Sequence, residues 1–224
     1  MTGHAVGGTD STAWRAVLFD LDGTLADTVD LILRSYRHTM VEHLGEAPPD
    51  ARFLETIGKP LPVQLRAFAR DEVQFEAMRQ TYVTFQRTIH DDMVRPFPGA
   101  LEVVTDLRAR GARVGIVTMK AGGIARGSLE VSGLWGVDPG EHAGDEVAAG
   151  KAAPEPVRRA MDELGVASTP ERVLFVGDTP HDLRAGRLAG TRTAAVGWGP
   201  LDRRVLRAES PDFFLDRMED LLRI

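Results

Sequence analysis

The sequence contains no cysteine. That excludes disulfides and cysteine-ligated metal centres, and it fits a reducing compartment. There is no apolar run near the roughly 20 residues needed to span a bilayer. There is no basic block either. Charges of both signs are interspersed and the formal net charge is −6, which argues against nonspecific nucleic-acid binding as a main role. The opening stretch "MTGHAVGGTDSTA" lacks the charged and apolar regions of a signal peptide. Its Gly, Ser and Thr content reads as a flexible leader over residues 1–13. The expectation is a cytoplasmic protein, monomer or homodimer, with no membrane and no nucleic-acid partner. Internal repeats and low-complexity segments are also lacking. What is present is apolar mass: 224 residues, 43% hydrophobic, suffice for one sizeable core or a core with a smaller insert.

Three short β-rich runs stand out: Ala16–Phe19, "VGIVT" from Val114 and "VLFVG" from Val173, with a weaker "TAAV" from Thr193. None alternates polar with apolar, so each reads as a strand buried on both faces, as in a parallel sheet. Helical patterns separate them. "PGALEVVTDLRARG" places Leu101, Val104 and Leu107 on one stripe, opening on Pro98 and closing on Gly111; "PEPVRRAMDELG" and "DLRAGRLAG" close on glycines too. Strands alternating with helices predict an α/β, Rossmann-like doubly wound domain. A further strand is expected within residues 137–148. Residues 28–95 differ. Val29, Ile32, Leu33, Tyr36, Met40 and Leu44, and later Phe75, Met78, Tyr82, Phe85 and Ile89, fall at helical spacing with no strong strand between. This reads as an all-helical cap (28–95) inserted into a core made of residues 14–27 and 96–224. An insert there lies over the C-terminal strand ends, where α/β ligand sites form.

The strand ends carry the chemistry. The first run ends at Asp20, the second at Thr118 and the third at Asp178. In a parallel sheet Asp20, Asp22, Asp178 and the nearby Asp182 share one crevice, where carboxylates left together raise one another's pKa. A hard divalent cation relieves that repulsion, and Mg²⁺ suits few carboxylates with positions left for water and phosphate. With the Thr118 hydroxyl and the charge of Lys151, which precedes a helix start, the cluster reads as a phosphate site. "GDEVAAGKA" is not a P-loop, because its glycine spacing is wrong and no Ser or Thr follows Lys151.

These motifs resemble the haloacid dehalogenase (HAD) superfamily of phosphohydrolases. Its DxDGT is matched by Asp20-Leu21-Asp22-Gly23-Thr24, its strand-ending Thr or Ser by Thr118, its lysine by Lys151 in "GKAAPEP", and its GDxxxD by Gly177, Asp178 and Asp182. Two positions depart from the pattern: Met119 stands where the family often has Asn, and Ala152 stands for the first proline of GKPxPxP. The resemblance runs from about residue 15 to the end. It implies that Asp20 attacks phosphorus to form an aspartyl-phosphate and that Asp22 is the acid and base. It implies Mg²⁺ held by Asp20, the Asp22 backbone carbonyl and Asp178, with Asp182 in support. Thr118, Met119 and Lys151 would bind the phosphoryl group. Lys120 is either a surface charge or a site neighbour.

Asp22 argues against the dehalogenase branch, which generally lacks the second aspartate. A helical cap after the first motif implies a small soluble phosphorylated substrate under a lid. "TIGKPLP", residues 56–62, resembles the loop by which capped members reach the substrate, and Lys59 there is a candidate contact for a carboxylate or second phosphate. The nearest branches are phosphoglycolate phosphatases and the pyrophosphatase-like members, suggested by "IGKPLP", "VGDTPHDLRAGRLAGTRTAAVGW" and "PDFFLDRMEDLL". The leading expectation is a Mg²⁺-dependent phosphatase of a small phosphorylated metabolite, phosphoglycolate phosphatase-like; a pyrophosphatase, a phosphomutase and a noncatalytic phosphate- or metal-binding regulator are the alternatives. The six histidines show no ligand spacing and read as surface residues, His90 in "HDD" at the cap's return being a candidate to face the site. Trp135 and Trp198 read as packing residues near loops.

Overall fold

The apolar runs pair because each offers side chains that fill both faces of a sheet. The computed structural model describes residues 14–120, 122–134 and 153–224. In it β1 (Ala16–Phe19), β4 (Arg113–Ile116), β5 (Val173–Gly177), β6 (Arg192–Val196) and β7 (Phe213–Leu215) form one parallel sheet in the order β4-β1-β5-β6-β7. Side-chain alternation splits the core in two. Val17 and Phe19 of β1 join Leu174 and Val176 of β5 beneath α5 (Ala100–Ala109), α6 (Gly122–Val131) and the 3-10 turn Met218–Arg223. Ala16, Leu18, Val173 and Phe175 enter the other layer with α7 (Glu155–Glu163) and α8 (Pro180–Ala189). The strand end is reinforced past its last residue: the Asp20 amide donates to the Val176 carbonyl and the Val117 amide to the Phe19 carbonyl.

Two expectations need correction. The stripe on α5 is centred on Ala100, Val103, Val104 and Leu107, and Leu101 lies outside it at 44% exposed. The edge strand β7 was not anticipated. Three residues, two of them half-buried, give too short a run to read against the turn-like flanks of "PDFFLD". The strand expected within residues 137–148 and the leader at 1–13 lie outside the described residues.

Between β2 (Ala26–Asp27) and β3 (Arg95–Pro96), which pair as a short antiparallel ribbon, the chain leaves the sheet and returns. Four helices occupy the interval: α1 (Val29–Leu44), α2 (Asp50–Leu54), α3 (Leu61–Arg66) and α4 (Glu72–Met93). Among the described residues no strand lies between β2 and β3. α1 stops at Gly45, whose φ of 83° lets its amide turn back to the Val41 carbonyl. α4 starts at Asp71, whose carboxylate accepts the Gln74 amide. The helices have a core of their own, built from Tyr36, Met40, Phe53, Leu65, Phe75, Met78 and Tyr82. Tyr36 stacks on Phe53 with centroids 4.5 Å apart, a geometry worth about 0.5–1.5 kcal/mol beyond area burial. None of the described helices is long and apolar enough to cross a membrane.

Candidate active site

The turn after β1 sets the first motif. The amides of Thr24, Leu25 and Ala26 all donate to the Leu21 carbonyl, and the Gly23 amide donates to the Ala26 carbonyl. Gly23 has φ 80°, and a Cβ there would stand 2.4 Å from an Asp178 carboxylate oxygen. Glycine is therefore demanded twice, by the backbone and by the close approach of the neighbouring motif. The Trp198 indole N–H donates to the Thr24 carbonyl at 3.0 Å and pins the turn from the β6 side.

Asp20 and Asp178 leave adjacent strands β1 and β5, and Asp182 sits in the first turn of α8. All three are buried, and one carboxylate oxygen from each lies within 4.8 Å of the others. The Thr24 hydroxyl donates to Asp178 Oδ1 at 3.3 Å. Asp182 Oδ2 accepts the Thr179 amide at 3.0 Å and its hydroxyl at 2.6 Å, so the fourth motif is also the N-terminal cap of α8. Three buried carboxylates converging this closely form an oxygen donor set suited to a hard divalent cation. The close packing of Gly23, and of Gly199, whose Cβ would come within 2.6 Å of the Asp178 Cβ, holds that set in place.

Asp22 does a different job. Its side chain is 22% exposed, lies outside that grouping and accepts hydrogen bonds from the Thr28 hydroxyl (2.7 Å) and the Lys120 ammonium (2.6 Å), both landing on Oδ1. Lys120 is thus a site neighbour and not a surface charge, its side chain only 8% exposed. Thr118 is buried beyond the end of β4, and its hydroxyl oxygen accepts the Lys120 amide at 3.2 Å. Lys151 lies outside the described residues.

Over these groups lies a cavity of about 680 Å³. Asp20, Asp22, Asp178, Thr118, Met119 and Lys120 form its floor, and the inserted helices form its roof. The roof is largely apolar, with Ile32, Phe53, Ile57, Leu61, Val63 and Val83. The 56–62 loop reaches the floor: a Cβ on Gly58 (φ 84°) would be 3.0 Å from Thr179 Oγ1 and 3.2 Å from His181. Lys59 lines the cavity and has no carboxylate partner among the described residues, whereas Arg66 and Arg79 in the same wall are paired with Glu72 and Glu76.

Reading apolar periodicity alone missed part of the site. The buried line of α4 runs Phe75, Met78, Tyr82, then Gln86 and His90. The expected stripe continued through Phe85 and Ile89, because a hydrophobic pattern follows apolar residues while the buried face of the helix turns polar past Tyr82. Gln86 donates to the Tyr82 hydroxyl at 3.3 Å. Burial, and then the charge of Asp22, push the Tyr82 phenol well above its ordinary value, so it keeps its proton. His90 is buried, against the expectation of surface histidines, and bonds Ser128 of α6.

Comparison with known proteins agrees with this geometry. Residues 17–196 match the family described as Haloacid dehalogenase-like hydrolase. A pyrophosphatase, PpaX, of Bacillus cereus is 38% identical over 208 residues, covering 93% of this chain and 94% of the relative. Among solved structures, one described as a predicted phosphoglycolate phosphatase from Haemophilus somnus superposes with a TM-score of 0.80 at 21% identity, covering 94% of this chain and 97% of that one. A haloacid dehalogenase-like family hydrolase from Streptococcus pneumoniae gives 0.78 at 23% identity, over 95% and 98%.

Proposed function

We propose, from the premise that this chain belongs to the haloacid dehalogenase-like hydrolase family and is a phosphatase, that it hydrolyses a small organic phosphate through Asp20. The observation that carries this reading is the buried meeting of Asp20, Asp178 and Asp182 at a roofed cavity that Asp20 and Asp178 line, beside a separately held Asp22. Mg²⁺ bound by Asp20, Asp178 and the Asp22 carbonyl, with Asp182 behind it, would neutralise charge on the phosphoryl oxygens. An Asp20 oxygen attacks phosphorus as the bond to the leaving oxygen breaks. Asp22 gives its proton to that oxygen, then takes one from the water that attacks the aspartyl-phosphate and releases phosphate. The two acids differ in surroundings as their roles require. Asp20 is locked beside other carboxylates, while Asp22 is part-exposed with Oδ2 left clear of the Thr28 and Lys120 bonds. Thr118, the Met119 backbone and Lys151 bind the transferred group. The helices α1 to α4 act as the cap that excludes water.

A phosphoglycolate-like substrate suits this cavity: its phosphate would sit on the floor and its carboxylate would meet Lys59. An apolar roof adds contact with an organic body and offers pyrophosphate little. Pyrophosphate is the second reading, supported by 38% identity to a protein named as a pyrophosphatase. The test is phosphate release with Mg²⁺ from phosphoglycolate, pyrophosphate and sugar phosphates. Asp20→Asn should fold and lose turnover on whichever is used. Wild-type turnover in that variant would refute the nucleophile. Labelled-water oxygen must appear in the released phosphate; its absence would indicate a mutase.

A further inference from the structure

The acid/base carboxylate is one end of a hydrogen-bonded chain that crosses from the core to the inserted helices. Lys120 Nζ donates to Asp22 Oδ1 at 2.6 Å and to Ser128 Oγ at 3.1 Å. Ser128 Oγ is 2.9 Å from His90 Nε2, and His90 Nδ1 is 2.7 Å from Asp91 Oδ1. Ser128 is fully buried on α6, and His90 is buried near the end of α4. With a neutral His90 imidazole the donors and acceptors run in one direction. A carboxylate only accepts, so Nδ1 carries the hydrogen toward Asp91 and Nε2 accepts the Ser128 hydroxyl. The serine lone pairs then take one Lys120 N–H while a second goes to Asp22. Every polar atom between the two carboxylates is matched, which is how buried polar chains hold one conformation.

We propose that Ser128 and His90 are positioning residues for the acid/base step: they fix the Lys120 ammonium so that it holds Asp22 Oδ1 and leaves Oδ2 for proton transfer. This rests on Asp22 being the acid/base, as proposed above. Lysine is a flexible point charge on a long stem, and one contact to Asp22 leaves its stem free to swing. The second bond, to Ser128, removes that freedom. Ser128 is in turn held by a histidine on the last turns of α4. Those turns are fastened to the core, since Ile89 and Met93 pack against the main cluster beneath the sheet. The placement of the cap's stalk is therefore transmitted to the atom that moves the proton.

The role is separable from a structural one by the leaving group. Proton donation matters for an alkoxide and hardly for a nitrophenolate. kcat/KM includes the step in which the leaving group departs, so it reads the difference. General acid–base catalysis is worth about 10²–10⁴-fold, and a mispositioned acid loses part of that. Ser128→Ala is expected to lower kcat/KM on an alkyl phosphate about tenfold and on p-nitrophenyl phosphate less than about twofold. His90→Leu should reproduce this. His90→Gln, which returns an acceptor near the position of Nε2, should recover most of the loss. If Ser128→Ala misfolds, the two His90 variants carry the same test.

Asp22→Asn is the reference. A selective loss in Asp22→Asn with no selectivity in Ser128→Ala and His90→Leu would overturn the positioning role alone. Equal losses on both substrates in Asp22→Asn, or no phosphate release by the wild type, would overturn the acid/base reading and the positioning role with it.

Discussion

Neutralising one acid of the buried cluster should make the metal-free protein more stable and make it indifferent to Mg²⁺. Asp20, Asp178 and Asp182 present oxygens within 4.8 Å of one another. At an effective dielectric near 20, two unit charges at that distance repel by about 3.5 kcal/mol. Donors offset part of this: the Thr24 hydroxyl on Asp178, and the Thr179 amide and hydroxyl on Asp182. Sharing of a proton would offset more. A net relief of about 1–2 kcal/mol on Asp178→Asn is the expectation after these discounts, since the amide keeps an acceptor for Thr24. In a chain this long each kcal/mol moves the melting temperature by about 2–4 °C. In EDTA, Asp178→Asn should therefore melt about 2–8 °C above the wild type. Mg²⁺ at a hundredfold excess over its dissociation constant adds about 2.7 kcal/mol to the wild type, or about 5–11 °C. The variant should gain little. The assay is a pair of melting curves with EDTA and with a Mg²⁺ series. A variant that melts below the wild type in EDTA, or that gains as much from Mg²⁺, would refute the idea that these carboxylates repel one another and await a cation.

Gly58→Ala should cost the 56–62 loop its reach. A side chain at φ 84° meets Thr179 and His181, and the left-handed backbone alone costs about 1–2 kcal/mol. kcat/KM should fall about fivefold or more, and wild-type kinetics would show that the loop does not need this approach. At acid pH the β6–β7 side should loosen first. Arg184, and then Arg187, hold Glu209 below the usual carboxylate range. Burial raises Asp212, but Arg192 and the Thr193 amide and hydroxyl more than offset it, so Asp212 is also lowered. Carboxyls depressed in the folded state stabilise it above their unfolded values, about 4.3 for Glu and 3.9 for Asp. That contribution fades as pH falls through the lower folded values. Melting curves from pH 6 to about 3 should show the loss, and Asp212→Asn should flatten it; an unchanged slope in the variant would assign the loss elsewhere.

The carboxylate cluster was legible because it sits at strand ends. A carboxylate following four buried residues of β1, and another following β5, can be placed from strand order alone, since parallel neighbours bring their C-terminal ends together. The fold class followed from the same runs. Elements that draw their stability from tertiary neighbours were not legible. β7 is three residues long and exists because β6 offers it an edge. Lys120 could not be told from a solvated lysine, because what buries it, Ser128 and Asp22, comes from positions 8 and 98 residues away. His90 and Gln86 were hidden for a related reason: a polar residue on a buried helix face looks, in one dimension, like the exposed side of the helix.

That last failure carries information about the function. α4 buries Phe75, Met78 and Tyr82 where it packs on α1 and α3, then Gln86 where it lines the cavity and His90 where it meets α6. A helix stabilised only by packing would continue its apolar stripe, since each buried polar group must find partners or cost stability. Here the partners exist. Gln86 donates to Tyr82, and His90 meets Ser128 and through it Lys120 and Asp22. One helix thus spans two tasks, building the core of the inserted helices at its start and, through His90 and Ser128, bracing the Lys120–Asp22 pair at its end. Under the proposed function, substrate selection by the roof and proton transfer at Asp22 would be mechanically joined through it. A change at the roof that tilts α4 should therefore alter proton transfer as well as affinity, lowering kcat and raising KM together.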